Sequence, residues 1–239
     1  MNNLVIDIGN TRIKAASFKE DVLLDEQQFA TLEDLHLFVK GQLFDHILIS
    51  SVSHGEEELN ALLGLPFLYL NRQTPVPIQN LYATPDTLGV DRKAAVIGAR
   101  EKIPQGPVLA IDMGSCITFD VLDEYDRYFG GAISPGVNMR FRAMHTQTAR
   151  LPLVSLEVGE VPPLVGDNTV NCLKSGVYHG VLFEIKEFIN TYMDQYKDLK
   201  VIICGGDSIF FESLTKDHIF VIPNLVLFGL NRILRYNVN

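Results

Sequence analysis

The stretch Leu4-Val5-Ile6-Asp7-Ile8-Gly9-Asn10-Thr11-Arg12-Ile13-Lys14 decides how the chain is read. Three apolar residues run into a polar, glycine-containing corner, and the chain re-emerges through Ala15-Ala16-Ser17-Phe18, the pattern of a hairpin. Gly9 has no Cβ, so backbone N–H groups can come close to an anion there. Asn10 and Thr11 add side-chain donors, and Lys14 adds a positive charge. Asp7 is the odd member, because a carboxylate repels phosphate unless Mg²⁺ stands between them. The corner therefore suggests a site for metal-bound nucleotide phosphates, although the same residue types also build ordinary hairpin turns.

A second copy strengthens the phosphate reading. Ile111-Asp112-Met113-Gly114-Ser115-Cys116 follows the apolar run Val108-Leu109-Ala110 and continues into Ile117-Thr118-Phe119-Asp120-Val121-Leu122. A duplicated strand–Asp-x-Gly–strand unit implies two similar domains, each presenting a carboxylate and a glycine turn to a shared cleft. Pro104-Gln105-Gly106-Pro107 marks the expected boundary, dividing the chain into residues 1–106 and 107–239.

Composition narrows the function classes. With 239 residues, 47% of them hydrophobic, the chain can bury one large core or two compact ones. A net charge of −9 without any run of Lys and Arg argues against nucleic acid as a partner. No apolar stretch approaches the roughly 18 residues that span a bilayer, so no membrane role is expected. Cys116, Cys172 and Cys204 show no zinc spacing and are expected to be small core fillers in a cytoplasmic protein, with Cys116, inside the second motif, also open to a place lining the cleft.

Between the two turns the pattern alternates strand and helix. Thr31 reads as the N-cap of a helix carrying Leu32, Leu35, Phe38 and Val39, closed by Gly41. His46–Val52 reads as a strand, Glu56–Leu63 as a helix and Phe67–Leu70 as a further strand, which predicts a mixed sheet with helices packed on it. Tyr82–Arg92 reads as a polar loop leading into a helix over Lys93–Arg100, with Asp91 at or next to the cap; capping alone could explain that aspartate. Tyr128–Gly136, with three glycines and a proline, reads as a shaped loop before a helix from Val137 to about Thr148 that carries Arg140, Arg142 and His145. Asp167-Asn168-Thr169 opens another helix, Val201–Ser208 reads as a buried strand ending in paired glycines, and Leu225–Tyr236 reads as an amphipathic terminal helix.

Neither a GxxxxGK[ST] loop nor a GxGxxG turn is present, which removes the P-loop and Rossmann classes. The pair DIGNT and DMGSC, followed by ICGGD, resembles the phosphate-1, phosphate-2 and adenosine motifs of the superfamily of acetate and sugar kinases, heat-shock chaperones and actin. GVDR (89–92), GGAISPG (130–136), TARLP (148–152) and GDNT (166–169) are similar in order and spacing to type III pantothenate kinases. The resemblance implies an α/β fold of two similar ribonuclease-H-like domains, with mixed sheets flanked by helices and the active site in the cleft between them. It implies ATP-dependent phosphorylation of pantothenate at its primary hydroxyl, the first step of coenzyme A synthesis.

Carried over to this chain, the resemblance implies that Asp7, Ile8, Gly9, Asn10, Thr11, Arg12, Ile13 and Lys14 surround the ATP phosphates together with Ser115. Asp7 would help hold Mg²⁺, and Asp112 would bind a monovalent cation, K⁺ or NH₄⁺. Asp91 would be the general base, with Tyr82, Gly89, Val90, Arg92 and Thr169 also contacting pantothenate. At a helix start Asp91 is favoured as the anion, so it would mainly orient the hydroxyl for a loose phosphoryl-transfer transition state. Arg92 suits the pantothenate carboxylate. Family members complete the pocket across a homodimer, which gives Met139–Leu151 a role toward the neighbouring subunit. Ser115-Cys116 departs from the usual Thr-Ala. Two other readings stand beside this one: a nucleotide-binding regulatory protein of the same fold, and a kinase for another small alcohol.

Overall fold

A computed structural model describes residues 1–9, 12–215 and 218–238, so Asn10 and Thr11 of the first corner lie outside the described residues. In chain order the first elements are β1 (Asn2–Ile8), β2 (Ile13–Lys19), β3 (Val22–Phe29), α1 (Leu32–Lys40), β4 (His46–Ser51), α2 (Glu56–Leu63), β5 (Leu68–Tyr69), β6 (Gln79–Asn80) and α3 (Val90–Lys102). There follow β7 (Val108–Met113), β8 (Cys116–Leu122), β9 (Arg127–Pro135), α4 (Val137–Gln147), α5 (Thr169–Gln195), β10 (Lys200–Cys204), β11 (Ile219–Val221) and α6 (Leu225–Val238). Two compact units emerge: Met1–Pro104 with Asp126–Phe129 and Asn224–Asn239, and Gln105–Tyr125 with Gly130–Pro223.

The first unit is built on a sheet ordered β3-β2-β1-β4-β5. β1 pairs antiparallel with β2 and parallel with β4. The period-2 alternation of β1 sends Leu4, Ile6 and Ile8 into a core closed by Leu35 and Val39 of α1 and Leu59 and Leu63 of α2. Asn3 shows where the opposite face looks: its Nδ2 donates to Asn231 Oδ1 of α6 at 3.1 Å. Asp7 therefore falls on the α6 side of the sheet, along with Val5. There Phe18 meets Phe228 edge-on at 5.4 Å, a geometry that adds about 1 kcal/mol beyond area burial. α3 packs on α6 through glycines: a Cβ on Gly98 would fall on the Leu225 carbonyl, and one on Gly229 on the Ala94 carbonyl.

The second unit repeats the plan. Its strands run β11-β10-β7-β8-β9, with β7 antiparallel to β8 and parallel to β10. Strand for strand this is the order of the first sheet, with Asp112 on β7 where Asp7 stands on β1. α4 and α5 cover one face, where Phe119 stacks on Phe188 at 4.1 Å.

Three expectations change. Tyr128–Gly136 is almost wholly strand rather than loop, because Gly131 has no Cβ to strike the Phe119 carbonyl and so lets β9 lie close beside β8. α3 begins at Val90 with Gly89 as its N-cap, three residues before the expected start. Of the three cysteines only Cys204 is a core filler; Cys172 is exposed and Cys116 intermediate. Among the described residues no helix is long and apolar enough to cross a membrane.

The α3–α6 contact gives a stability prediction. Gly229→Ala should lower unfolding free energy by about 3 kcal/mol, since the added methyl must push two helix backbones apart. Urea unfolding measures this, and a wild-type midpoint would show that the helices can separate freely.

Candidate active site

In the first unit the corner after β1 is closed by Gly9 N–H donating to Arg12 O at 3.1 Å. Register places Lys14 of β2 opposite Asp7 on one side and Ser50 of β4 opposite it on the other. Ile8 and Ile13 are buried, so they hold the corner rather than face solvent. Arg12 is exposed and its guanidinium donates to Gln28 Oε1 at 3.3 Å.

The side chain that meets Asp7 comes from α3. Burial, and next the Asp91 carboxylate, raise the Asp7 carboxyl to about 6, against smaller opposing effects of Lys14 and the Ser50 hydroxyl. Asp91 thus lies near enough for its charge to act on Asp7, a repulsion that a cation relieves. Asp91 sits in the first turn of α3, where its Oδ1 accepts the Arg92 N–H at 2.9 Å. A Cβ on Gly89 would strike that same oxygen, so the glycine before it lets Asp91 fold back onto its own helix.

Arg92 and Lys93 are both buried, which their charge disguises in the sequence. Arg92 lies over the Tyr82 ring, its Cζ 5.7 Å from the ring centroid. Lys93 Nζ donates to the Arg72 carbonyl at 3.1 Å, and burial pushes its pKa down. Sequence reasoning missed Ser50 and Lys93. The signal for Ser50 was a polar pair ending an apolar strand; Lys93 had none. A cavity of about 450 Å³ lies at the other end of α3, lined by Arg100, Arg232 and Arg235 against Asp21, Glu101 and Asp126. Its charges cancel, and the motifs do not point to it.

In the second unit Asp112, Gly114 and Ser115 form the equivalent corner. Gly114 N–H donates to Cys116 O at 3.0 Å, and Gly136, at the N-cap of α4, donates to Ser115 O at 3.2 Å. Gly205, after β10, takes φ +88 and lies so close to Asp112 Oδ1 and Met113 O that no side chain fits. Asp112, Ser115, Gly136 and Gly205 are therefore brought together. Ser115 is exposed, as is Thr169, the first residue of α5 behind its N-cap Asn168.

The donors suit hard cations. Among the described residues no group of three or more His, Cys, Asp or Glu side chains could hold a metal ion. A divalent ion would find the Asp7–Asp91 pair and would need phosphate or water oxygens to complete its shell. Asp112 offers a carboxylate beside backbone carbonyls, an all-oxygen set appropriate to a monovalent cation.

Known proteins give the arrangement its place. A family profile described as type III pantothenate kinase matches residues 3–191. A protein of Cytophaga hutchinsonii named type III pantothenate kinase is 41% identical over 237 residues, covering 99% of this chain and 100% of its own. The chain belongs to the type III pantothenate kinase family. Two solved structures share its fold. One, classed with the Baf family of transcriptional activators, is from Campylobacter jejuni, with TM-score 0.63, 23% identity and 98% of each chain covered. The other, a ROK hexokinase from Thermus thermophilus, has TM-score 0.53, 13% identity and 100% of each chain covered.

The raised Asp7 carboxyl has a measurable consequence. The unfolded chain releases this proton near 3.8 and the folded, ligand-free chain near 6, so the folded state binds more protons between those values. Stability from this group is full below the unfolded pKa and is lost as pH rises through the folded one, by up to about 3 kcal/mol. Asp7→Asn should raise the urea midpoint at pH 8 and leave it near wild type at pH 4. Equal midpoints at pH 8 would contradict a destabilised carboxylate.

Proposed function

We infer that the protein transfers the γ-phosphoryl group of ATP to the primary hydroxyl of pantothenate, giving 4'-phosphopantothenate at the start of coenzyme A synthesis. Family membership over nearly the whole chain supports the reaction. The single structural observation that carries it is that the charge of Asp91, on the first turn of α3, acts on the Asp7 carboxyl of the turn after β1.

In this reading Asp91 accepts a hydrogen bond from the pantothenate hydroxyl and orients it for in-line attack, taking the proton as the bond to phosphorus forms. Arg92 receives the pantothenate carboxylate in its two-pronged fork. Gly89 and Val90, at the start of α3, line the same place, and Tyr82 and Thr169 complete the substrate contacts. Asp7, Ile8, Gly9, Arg12, Ile13 and Lys14 serve the ATP phosphates in the first unit, and in the second the Ser115 hydroxyl keeps the donor that threonine supplies in the family pattern. Mg²⁺ would neutralise charge on the transferring phosphoryl group, with Asp7 as the carboxylate toward it. Asp112 would hold K⁺ or NH₄⁺. Exposed Leu153, Val158, Val161, Leu164 and Val165 support a homodimer, since such apolar residues need a covering surface. Three free cysteines are consistent with a reducing cytoplasm.

The likeness to a Baf family protein keeps a regulatory role in view, but at its level of identity that likeness concerns fold alone. A pure binder has no use for Asp91. ADP release from purified protein with MgATP and K⁺ should depend on pantothenate. Release without that dependence, or with another small alcohol instead, would favour the competing readings. Asp91→Asn should lower kcat by about a thousandfold and leave ATP affinity within about twofold. Wild-type turnover in that variant would reduce Asp91 to a helix-end residue.

A further inference from the structure

Tyr128 is fully buried, yet it lies at the very start of β9, where the chain has just passed the Asp123–Asp126 turn. Its backbone is tied to the segment that carries Tyr82. Asn80 pairs with Tyr128 in parallel register, Leu81 N–H donates to Tyr128 O at 2.8 Å, and Tyr82 N–H donates to Asn80 Oδ1 at 3.1 Å. The two tyrosine rings then stack, with centroids 6.2 Å apart and planes inclined by 22°. On Tyr82 rests the guanidinium of Arg92, its Cζ 5.7 Å from the centroid. Buried ring, half-buried ring and guanidinium thus form a chain of contacts, Tyr128 on Tyr82 and Tyr82 on Arg92.

We propose that Tyr128 is a positioning residue for the substrate: it backs Tyr82, and Tyr82 in turn holds the Arg92 guanidinium in the orientation that receives the substrate carboxylate. The proposal rests on Arg92 as carboxylate partner and on pantothenate as acceptor. An arginine has many rotamers, and a planar aromatic support removes most of them before substrate arrives. The ring quadrupole also attracts the cation, so the support is electrostatic as well as steric. Tyr82 alone, partly exposed on a loop, could tilt; a ring fixed in the core behind it prevents that.

The test separates carboxylate recognition from general damage. KM for pantothenate is compared with the inhibition constant of pantothenyl alcohol, which keeps the reacting hydroxyl and lacks the carboxylate. Tyr128→Leu should raise the pantothenate KM about tenfold, with kcat, the ATP KM and the alcohol's inhibition constant each within about twofold. Tyr128→Phe, which keeps the ring, should restore the KM. Parallel weakening of acid and alcohol, or an unchanged pantothenate KM, would overturn the proposal. Should Tyr128→Leu fail to fold, Tyr128→Met removes the ring with a more adaptable side chain and is read by the same ratio: selective loss of the acid supports the proposal, and equal loss overturns it. Unaltered protein that does not phosphorylate pantothenate would instead strike the kinase reading itself, a result visible before any variant is made.

Discussion

A carboxylate held near the end of a central strand, within reach of a second carboxylate's charge, is the constraint on which the first unit depends. Asp7 cannot leave, because β1 is zipped to β2 on one side and β4 on the other. Asp91 cannot leave either, because its oxygen is bound to the first turn of α3 and Gly89 makes room for it there. Burial first, and the nearby Asp91 charge second, make the Asp7 carboxylate costly, so its carboxyl is held up at about 6. In the proposed function a cation bound through phosphate would relieve that cost.

The supporting structure exists to fix that pair. α3 carries Asp91 and is seated on α6 by glycines that let backbone touch backbone, a closer approach than any side chain would permit. Apolar packing of α1 and α2 fills the other face of the sheet. In the second unit the same five-strand order places Asp112 on its central strand, and Gly136 and Gly205 crowd in where a Cβ would collide. Small residues in both units thus serve close approach, and Asp7 and Asp112 stand on the central strands.

Much of this was legible in the residues. The repeated Asp-x-Gly corner announced a duplicated unit, and helix signals at Thr31, Gly41 and Asn168 gave element ends that the structure keeps. The segment from Tyr128 to Gly136 misled, because glycine and proline signal loops locally, whereas here glycine serves a strand pressed against its neighbour. The burial of Arg92 and Lys93 was not read from the sequence. Charge predicts exposure, and only tertiary packing supplies a ring for one and a carbonyl for the other.

The sequence by itself determined the repeat, the mixed sheets, the phosphate-type corners and the family, since each is written in local order and spacing. Only the tertiary structure decided that the Asp91 charge reaches Asp7 across 84 residues of chain, that α6 returns to seat α3, and that Tyr128 stacks with Tyr82. The reason is that a side chain's partner across a fold depends on register, helix direction and the room left by glycines. None of these is a property of neighbouring residues in the chain.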